Sequence, residues 1–323
     1  MATSNSAHTD VPPSVSVVVP VYDGAATLEE LCSRIADVLQ LQNDDFEIIL
    51  VNDGSRDSSW EVVSGLADRY PHIIGINLMR NYGQHNALLA GIRKAGKEVI
   101  ITLDDDLQNP PEEIPRLLQK LAEGYDVVYG KPSVRQHSLW RNVFSWVLKT
   151  VLKMIMGAEI GGQSSPYRAF RSVLRRGFDN FSDARLSIDV LLSWVAARTT
   201  FIYVEHHPRR DGKSSYSLGK LSLLAFDLLT GYSVLPLRIA SGIGLTTALM
   251  GLLIFLFVVV RRLVEPLYVP GFAFLASEVA LFAGLQLFAI GVIGEYVARL
   301  HFRTMGKPSY VIRDEVGKNS LSK

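Results

Sequence analysis

Short apolar, β-branched runs recur along the first part of the chain, at Val15–Val19, Phe46–Val51, Ile73–Leu78, Val99–Leu103 and Val127–Tyr129. Between them, Ala25–Gln40, Ser58–Tyr70, Gln84–Lys94 and Glu112–Glu123 place apolar residues at helical spacing. Continuous apolar strands separated by amphipathic helices predict an α/β architecture, a parallel sheet covered on both faces. In such sheets ligands bind beyond the carboxyl ends of the strands. The segments there are Pro20–Gly24, Asn52–Ser55, Met79–Gly83 and Asp104–Gln108, which are polar, glycine-containing and partly acidic.

The pattern then changes. In residues 138–156, SLWRNVFSWVLKTVLKMIM, the residues Leu139, Val143, Trp146, Val147, Val151, Met154 and Ile155 share one helical face. An apolar stripe with tryptophans and flanking Lys/Arg fits a helix lying in a membrane interface. A core helix has the same periodicity, so both readings stand. Leu218–Leu235 is similarly apolar and holds only Lys220 and Asp227. Ile239–Val260 is a run of 22 uncharged residues, and about 20 span a bilayer core. A second apolar segment, Pro266–Gly294, is interrupted by Glu278. That carboxylate is costly at the bilayer centre, which places it near one end or against a partner helix.

Two spans put both ends of the pair on one side. Lys213, Lys220, Arg238, Arg299, Arg303 and Lys307 flank that side, against Arg261 and Arg262 on the other. The excess of basic residues assigns it to the cytoplasm. The expected plan is a disordered lead-in over 1–14, a cytoplasmic α/β domain over 15–215 and a juxtamembrane helix over 216–236. Two transmembrane helices over 237–298 and a cytoplasmic tail over 299–323 complete it. The lead-in lacks the charged and apolar regions of a signal peptide.

The net charge of +1 on 323 residues hides a gradient. Residues 1–130 hold 20 acidic and 9 basic side chains, whereas 131–238 hold 7 and 16. An acidic part suited to a metal ion thus precedes a basic part suited to anions. Cys32 is the sole cysteine, which excludes a disulfide framework and a thiolate metal site. No GxGxxG follows the first strand and no GxxxxGK[ST] occurs, so dinucleotide and P-loop chemistry are disfavoured.

The sharpest chemical signal is LDDDLQNPPEEI, Leu103–Ile114. Carboxylates beside an apolar strand are costly to desolvate and repel one another. Asp104 and Asp106 at a strand end suit a hard divalent cation, and Gln108 can add a carbonyl oxygen. Strand alternation sends Asp105 the other way. A helix cap near Pro110–Glu112 is the alternative use for one of the three acids. In VNDGS, Val51–Ser55, a turn explains Asp-Gly by itself. At the carboxyl end of the second strand, Asp53 is also placed to accept hydrogen bonds from a base or ribose.

In their order and spacing, VVVPVYDGAATL, VNDGSRDSSW, RNYGQHNALLAGI and LDDDLQNPPEEIPRL resemble glycosyltransferase family 2, and within it the polyprenyl-phosphate glycosyltransferases. The likeness runs from about Val15 to Tyr310 and includes GVIGEYVARL. It implies a GT-A Rossmann-like nucleotide-sugar domain followed by interfacial amphipathic helices and two transmembrane helices. It further implies inverting transfer from a nucleotide-sugar, taken as UDP-linked, to undecaprenyl phosphate at the bacterial inner membrane. Asp104 and Asp106, with Gln108, would hold Mg²⁺ or Mn²⁺, and Pro20, Tyr22, Asp53 and Asp104 the nucleotide. Arg135, Arg168 and Arg209 would hold the acceptor phosphate and leaving diphosphate, with Lys213 and Ser214 beside them. Asp105 and Asp189 are candidates to orient the acceptor. A homo-oligomer, a tetramer, is implied, and a nucleic-acid partner is not.

Some positions depart from the family pattern. Asp105 stands where a small residue is usual, and VPVYDG stands where VPVYNE is usual. GGQSSPYRAFR lacks an aspartate before its arginines, and Ser215 replaces a common lysine, with Lys213 nearby. Processive polysaccharide synthases normally carry QxxRW and more spans, which this sequence lacks. A catalytically silent scaffold is opposed by the intact Asp104, Asp106, Arg168 and Arg209.

Overall fold

The computed structural model describes residues 12–133, 165–178, 181, 187–207, 234–264 and 272–317. The chain divides into two compact units, Met1–Ser215 with Lys307–Lys323, and Tyr216–Gly306.

The first unit follows the alternation expected of its sequence. Strand β1 (Val15–Val21) precedes helix α1 (Leu28–Gln40), then β2 (Phe46–Asn52), α2 (Ser59–Arg69), β3 (Ile73–Leu78), α3 (Gln84–Lys94) and β4 (Val99–Thr102). A 3₁₀ turn at Pro111–Glu113 leads into α4 (Ile114–Ala122) and β5 (Val127–Pro132). Next come β6 (Arg168–Arg171), a 3₁₀ stretch at Ser172–Gly177, α5 (Ile188–Val195) and β7 (Thr199–Val204). Every residue of β1 is buried, as a strand covered on both faces requires. Val15, Val17, Val19 and Val21 pack with α1, α2 and α4 on one face. Val18 packs with Ile49, Val51 and α3 on the other. This is the period-two division of a pleated strand.

The sheet is mixed, which corrects the expected all-parallel arrangement. Its order is β7-β5-β6-β4-β1-β2-β3-β8, where β8 is Ile312–Val316. β6 runs antiparallel to both β4 and β5, and β8 antiparallel to β3. The carboxyl ends of β1–β5 and β7 therefore share one edge, and the start of β6 joins them there. β8 lies in the segment expected to be a tail. It is held by the Lys94–Glu315 ion pair at 2.6 Å and by Asn77 Nδ2 donating to Asp314 Oδ2 at 3.1 Å. Its charged sequence suits a sheet edge, where charge discourages pairing with other chains.

The second unit contains α6 (Leu235–Val264, 30 residues) and α7 (Phe272–Thr304, 33 residues), which pack on one another. At 1.5 Å per residue these run about 45 and 50 Å. Leu245, Leu249, Leu253, Phe257, Leu287, Phe288, Ile290 and Ile293 are exposed. Within α6, Pro236–Leu253 is long and apolar enough to cross a membrane, with mean hydropathy 1.3. The apolar window of α7, Phe282–Ala298, is shorter.

Candidate active site

The sheet's carboxyl edge gathers the loops that the sequence nominates. β4 ends at Thr102, so Asp104–Asp106 form a turn rather than strand. Alternation therefore does not govern their directions, which corrects the expectation for Asp105. The turn contains Leu107 at φ +58°, a left-handed conformation that costs a leucine about 1–2 kcal/mol. Its buried side chain in the core over-determines that conformation. Nor does an aspartate cap the following helix: neither the 3₁₀ turn nor α4 has a side-chain cap hydrogen bond.

Each acid has a distinct setting. Gln84 Nε2 donates to Asp104 Oδ1 at 2.6 Å. The Tyr22 amide donates to Asp105 Oδ2 at 3.2 Å, and the Gln108 amide to Asp106 Oδ1 at 3.1 Å. The Gln108 carbonyl accepts from the His207 amide at 2.9 Å. All three carboxylates are partly exposed. Among the described residues no three acidic, His or Cys side chains form a metal cluster. Two oxygen ligands at a turn nevertheless fit Mg²⁺ or Mn²⁺, which retain waters and take their remaining ligands from substrate phosphates. By donor chemistry the residues present fit such an ion.

The loops after β1 and β2 are tied together. Pro20 pairs with Val51 at the strand ends, and the exposed Tyr22 follows. The Asp23 amide donates to Ser55 Oγ, and the Arg56 amide to Asp23 Oδ1. Asp53 is buried, and its two oxygens accept from the amides of Tyr82 and Gly83 at 2.7 and 2.8 Å. Burial raises its pKa, against the pull of those amides. Asp53 thereby organises the loop that launches α3, a task not apparent from VNDGS. Its neighbour Gly54 has φ +67°, and a Cβ there would stand 2.5 Å from the Asn81 backbone nitrogen. Only glycine meets both demands.

Behind Asp104 lies a cavity of about 250 Å³ lined by Gln84, His85, Asp104, Ser165, Pro166, Arg168 and Asp189. Arg168 is 1% exposed. Its Nη1 pairs closely with Asp189 Oδ1, and its Nε donates to Thr102 Oγ1 at 3.0 Å. Thr102 Oγ1 in turn donates to the Pro166 carbonyl at 2.6 Å. Asp189 sits in the first turn of α5, where the helix dipole favours a carboxylate. The ion pair makes Asp189 a partner of Arg168. Tyr129, wholly buried alongside, has its phenol pKa raised by burial and by the Asp189 charge.

Sequence reasoning missed Gln84, His85 and Thr102. The available signal was position: QH opens α3 directly after the polar loop that follows β3. The Ile188 amide, an unsatisfied donor at the start of α5, donates to His85 Nδ1 at 3.4 Å. Burial lowers the His85 pKa, with Asp189 opposing and Arg168 assisting. Arg135, Arg209, Lys213, Ser214 and the helix expected at 138–156 lie outside the described residues.

The glycosyl transferase family 2 model matches residues 16–179. The chain belongs to glycosyl transferase family 2. It is a glycosyltransferase, and the paired loops and acidic turn described above fall within the matched region. The undecaprenyl-phosphate 4-deoxy-4-formamido-L-arabinose transferase of Yersinia enterocolitica is 39% identical over 306 residues, 94% of each chain. That of Yersinia pestis (bv. Antiqua strain Angola) is 38% identical over the same shares. Among solved structures, glucosyl-3-phosphoglycerate synthase of Mycobacterium tuberculosis with Mn²⁺, UDP and glucosyl-3-phosphoglycerate aligns with a TM-score of 0.49. It is 18% identical, over 68% of this chain and 78% of that one. S. aureus TarS 1-349 with UDP-GlcNAc aligns with a TM-score of 0.46, at 17% identity over 68% and 66%.

Proposed function

We propose that this family 2 enzyme transfers a sugar from a nucleotide-sugar, taken as UDP-linked, to undecaprenyl phosphate at the cytoplasmic face of a bacterial inner membrane. The observation that carries this reading is 39% identity, across 94% of both chains, to a curated undecaprenyl-phosphate sugar transferase. The carboxyl-edge site supports it. Asp104 and Asp106, with Gln108 beside them, would hold Mg²⁺ or Mn²⁺. Bound there, the cation supplies charge stabilisation for the departing diphosphate. Pro20, Tyr22 and Asp53 border the nucleoside end; each Asp53 oxygen keeps a second lone pair for a base or ribose donor.

An acceptor phosphate oxygen attacks the anomeric carbon, the bond from that carbon to the diphosphate breaks, and configuration inverts. The phosphate is already anionic near neutral pH, its second pKa being roughly 6, so no strong base is required. Arg168, aimed by Asp189 and Thr102, lends positive charge to the cavity wall where negative charge develops. Arg135, Arg209, Lys213 and Ser214 are assigned to the acceptor phosphate by family resemblance.

The second unit anchors the enzyme. α6 and α7 are assigned as two spans on the apolar length of Pro236–Leu253, the shorter apolar window Phe282–Ala298 and their exposed leucines and phenylalanines. Glu278, in the first third of α7, would sit toward one boundary. Homo-oligomerisation completes the proposal. The test is to incubate purified protein with undecaprenyl phosphate, Mn²⁺ and a panel of UDP- and GDP-sugars. Nucleoside diphosphate should be released with one of them, together with a glycosylated lipid phosphate. Release that does not require the lipid would overturn the acceptor assignment.

A further inference from the structure

The β1–α1 loop and the acidic turn meet through one side chain and one main-chain group of Asp105. The Tyr22 amide donates to Asp105 Oδ2 at 3.2 Å, and Thr27 Oγ1 donates to the Asp105 carbonyl at 2.6 Å. The Thr27 amide closes its own loop by donating to the Gly24 carbonyl at 3.1 Å. Between these contacts lies Gly24, whose amide is held by Ser59 Oγ at 3.1 Å. A Cβ on Gly24 would collide with Asp105 Oδ2, far inside van der Waals contact, and would press its Cγ at 3.0 Å. The φ of Gly24 is not in the left-handed region, so space rather than backbone conformation is what requires glycine here. Any side chain at 24 would force the Asp105 carboxylate to rotate, and rotation breaks its bond to the Tyr22 amide.

We propose that Asp105 and Gly24 form a coupled clasp in which Asp105 is a positioning residue for the donor nucleotide. Its carboxylate occupies the volume left by the absent Gly24 side chain and fastens the loop bearing Tyr22 to the turn bearing Asp104 and Asp106. Resting on the donor-site reading above, the clasp fixes the spacing between the nucleoside end and the diphosphate end of one ligand. A carboxylate committed to a backbone amide in this way acts through the loops and not through the metal ion.

The test is a double-mutant cycle on the full chain in detergent, with Gly24→Ala, Asp105→Ala and the pair. Neighbours that share one volume give non-additive effects. Thermal unfolding without ligand reads the clasp itself. Gly24→Ala should lower the midpoint by several degrees, and adding Asp105→Ala should recover at least half of the loss. Additive shifts would overturn the clasp. Binding of UDP and of GDP in the presence of Mn²⁺ then reads the donor role. Asp105→Ala should weaken the bound nucleotide about tenfold, as loss of a charge-assisted hydrogen bond predicts, and raise the donor KM with kcat held within about twofold. Asp105→Asn keeps an acceptor for the Tyr22 amide and should restore most of the affinity. If Asn is as damaging as Ala, the charge itself acts and the positioning role is wrong. Unchanged affinity in Asp105→Ala, with coupled unfolding, would remove the donor role. A wild-type protein that binds neither nucleotide would overturn the donor-site reading instead, and the unfolding cycle would still decide the clasp.

Discussion

Two charged clusters share the carboxyl edge of the sheet, Arg168 with Asp189 and the aspartates at 104–106. Arg168 is 1% exposed, and its guanidinium is met by a carboxylate and by the Thr102 hydroxyl. Asp104, Asp105 and Asp106 are partly exposed, and the hydrogen bonds they accept include those from the Gln84 side chain and the amides of Tyr22 and Gln108. A buried ion must be compensated inside the protein, because its lost hydration is worth several kcal/mol. A partly exposed carboxylate keeps water and spare lone pairs, and can exchange that water for a cation. In the proposed reading the buried pair is therefore a rigid wall, and the turn is the part assigned to an ion and a substrate.

The largest effect that could break this contrast comes from the buried pair. Arg168→Ala strands Asp189 and should cost about 3–5 kcal/mol of stability, read by denaturant unfolding. A loss of under about 1 kcal/mol would mean that the pair is not the wall. Next, Asp106→Ala should reduce sugar transfer by roughly 10²–10³, the scale of removing one preorganised charge-stabilising element, while unfolding shifts far less than in Arg168→Ala. Equal stability losses in the two variants would erase the distinction. Gln84→Ala sharpens it further. Loss of its 2.6 Å bond to Asp104 should raise the Mn²⁺ concentration for half-maximal activity about tenfold, the scale of one hydrogen bond to a charge.

The smallest effect is on pH. The His85 pKa is depressed from 6.5 in the folded protein, so the unfolded chain binds the proton more readily. The resulting stability is fully present above about pH 6.5 and is lost as pH falls through the folded value. His85→Gln should flatten this part of the stability profile, the fall in stability below about pH 6.5. An unchanged slope would show that His85 titrates as it does in water.

The central fold was legible because β1–β4 and α1–α4 are buried or amphipathic over their whole lengths. The observed β3 and α3 have the bounds that periodicity predicts. β6 escaped because RAFR is only four residues long and begins and ends with arginine, so it reads as a basic loop. β8, IRDEV, escaped because an edge strand needs charge where a central strand needs apolar residues. The acidic turn could be nominated as a candidate site, yet the directions of its side chains could not be read. Alternation applies only within a strand, and β4 stops two residues before Asp104. Asp105 and Gly24 also look like two unrelated oddities in sequence, 81 positions apart, and only the fold brings them into one volume. The Arg168–Asp189 pair was visible as two candidates, and only the antiparallel return of β6 beside β4 makes them partners.

The most direct measurement of the central claim is calorimetric titration of UDP and GDP into the purified protein, with and without Mn²⁺, for wild type and Asp106→Asn. Wild type should bind one of these nucleotides with Mn²⁺ and at least tenfold more weakly without it. In Asp106→Asn the weak binding should persist whether or not the metal is added. Equal affinity in all four conditions would contradict a cation-bridged donor site at Asp104–Asp106.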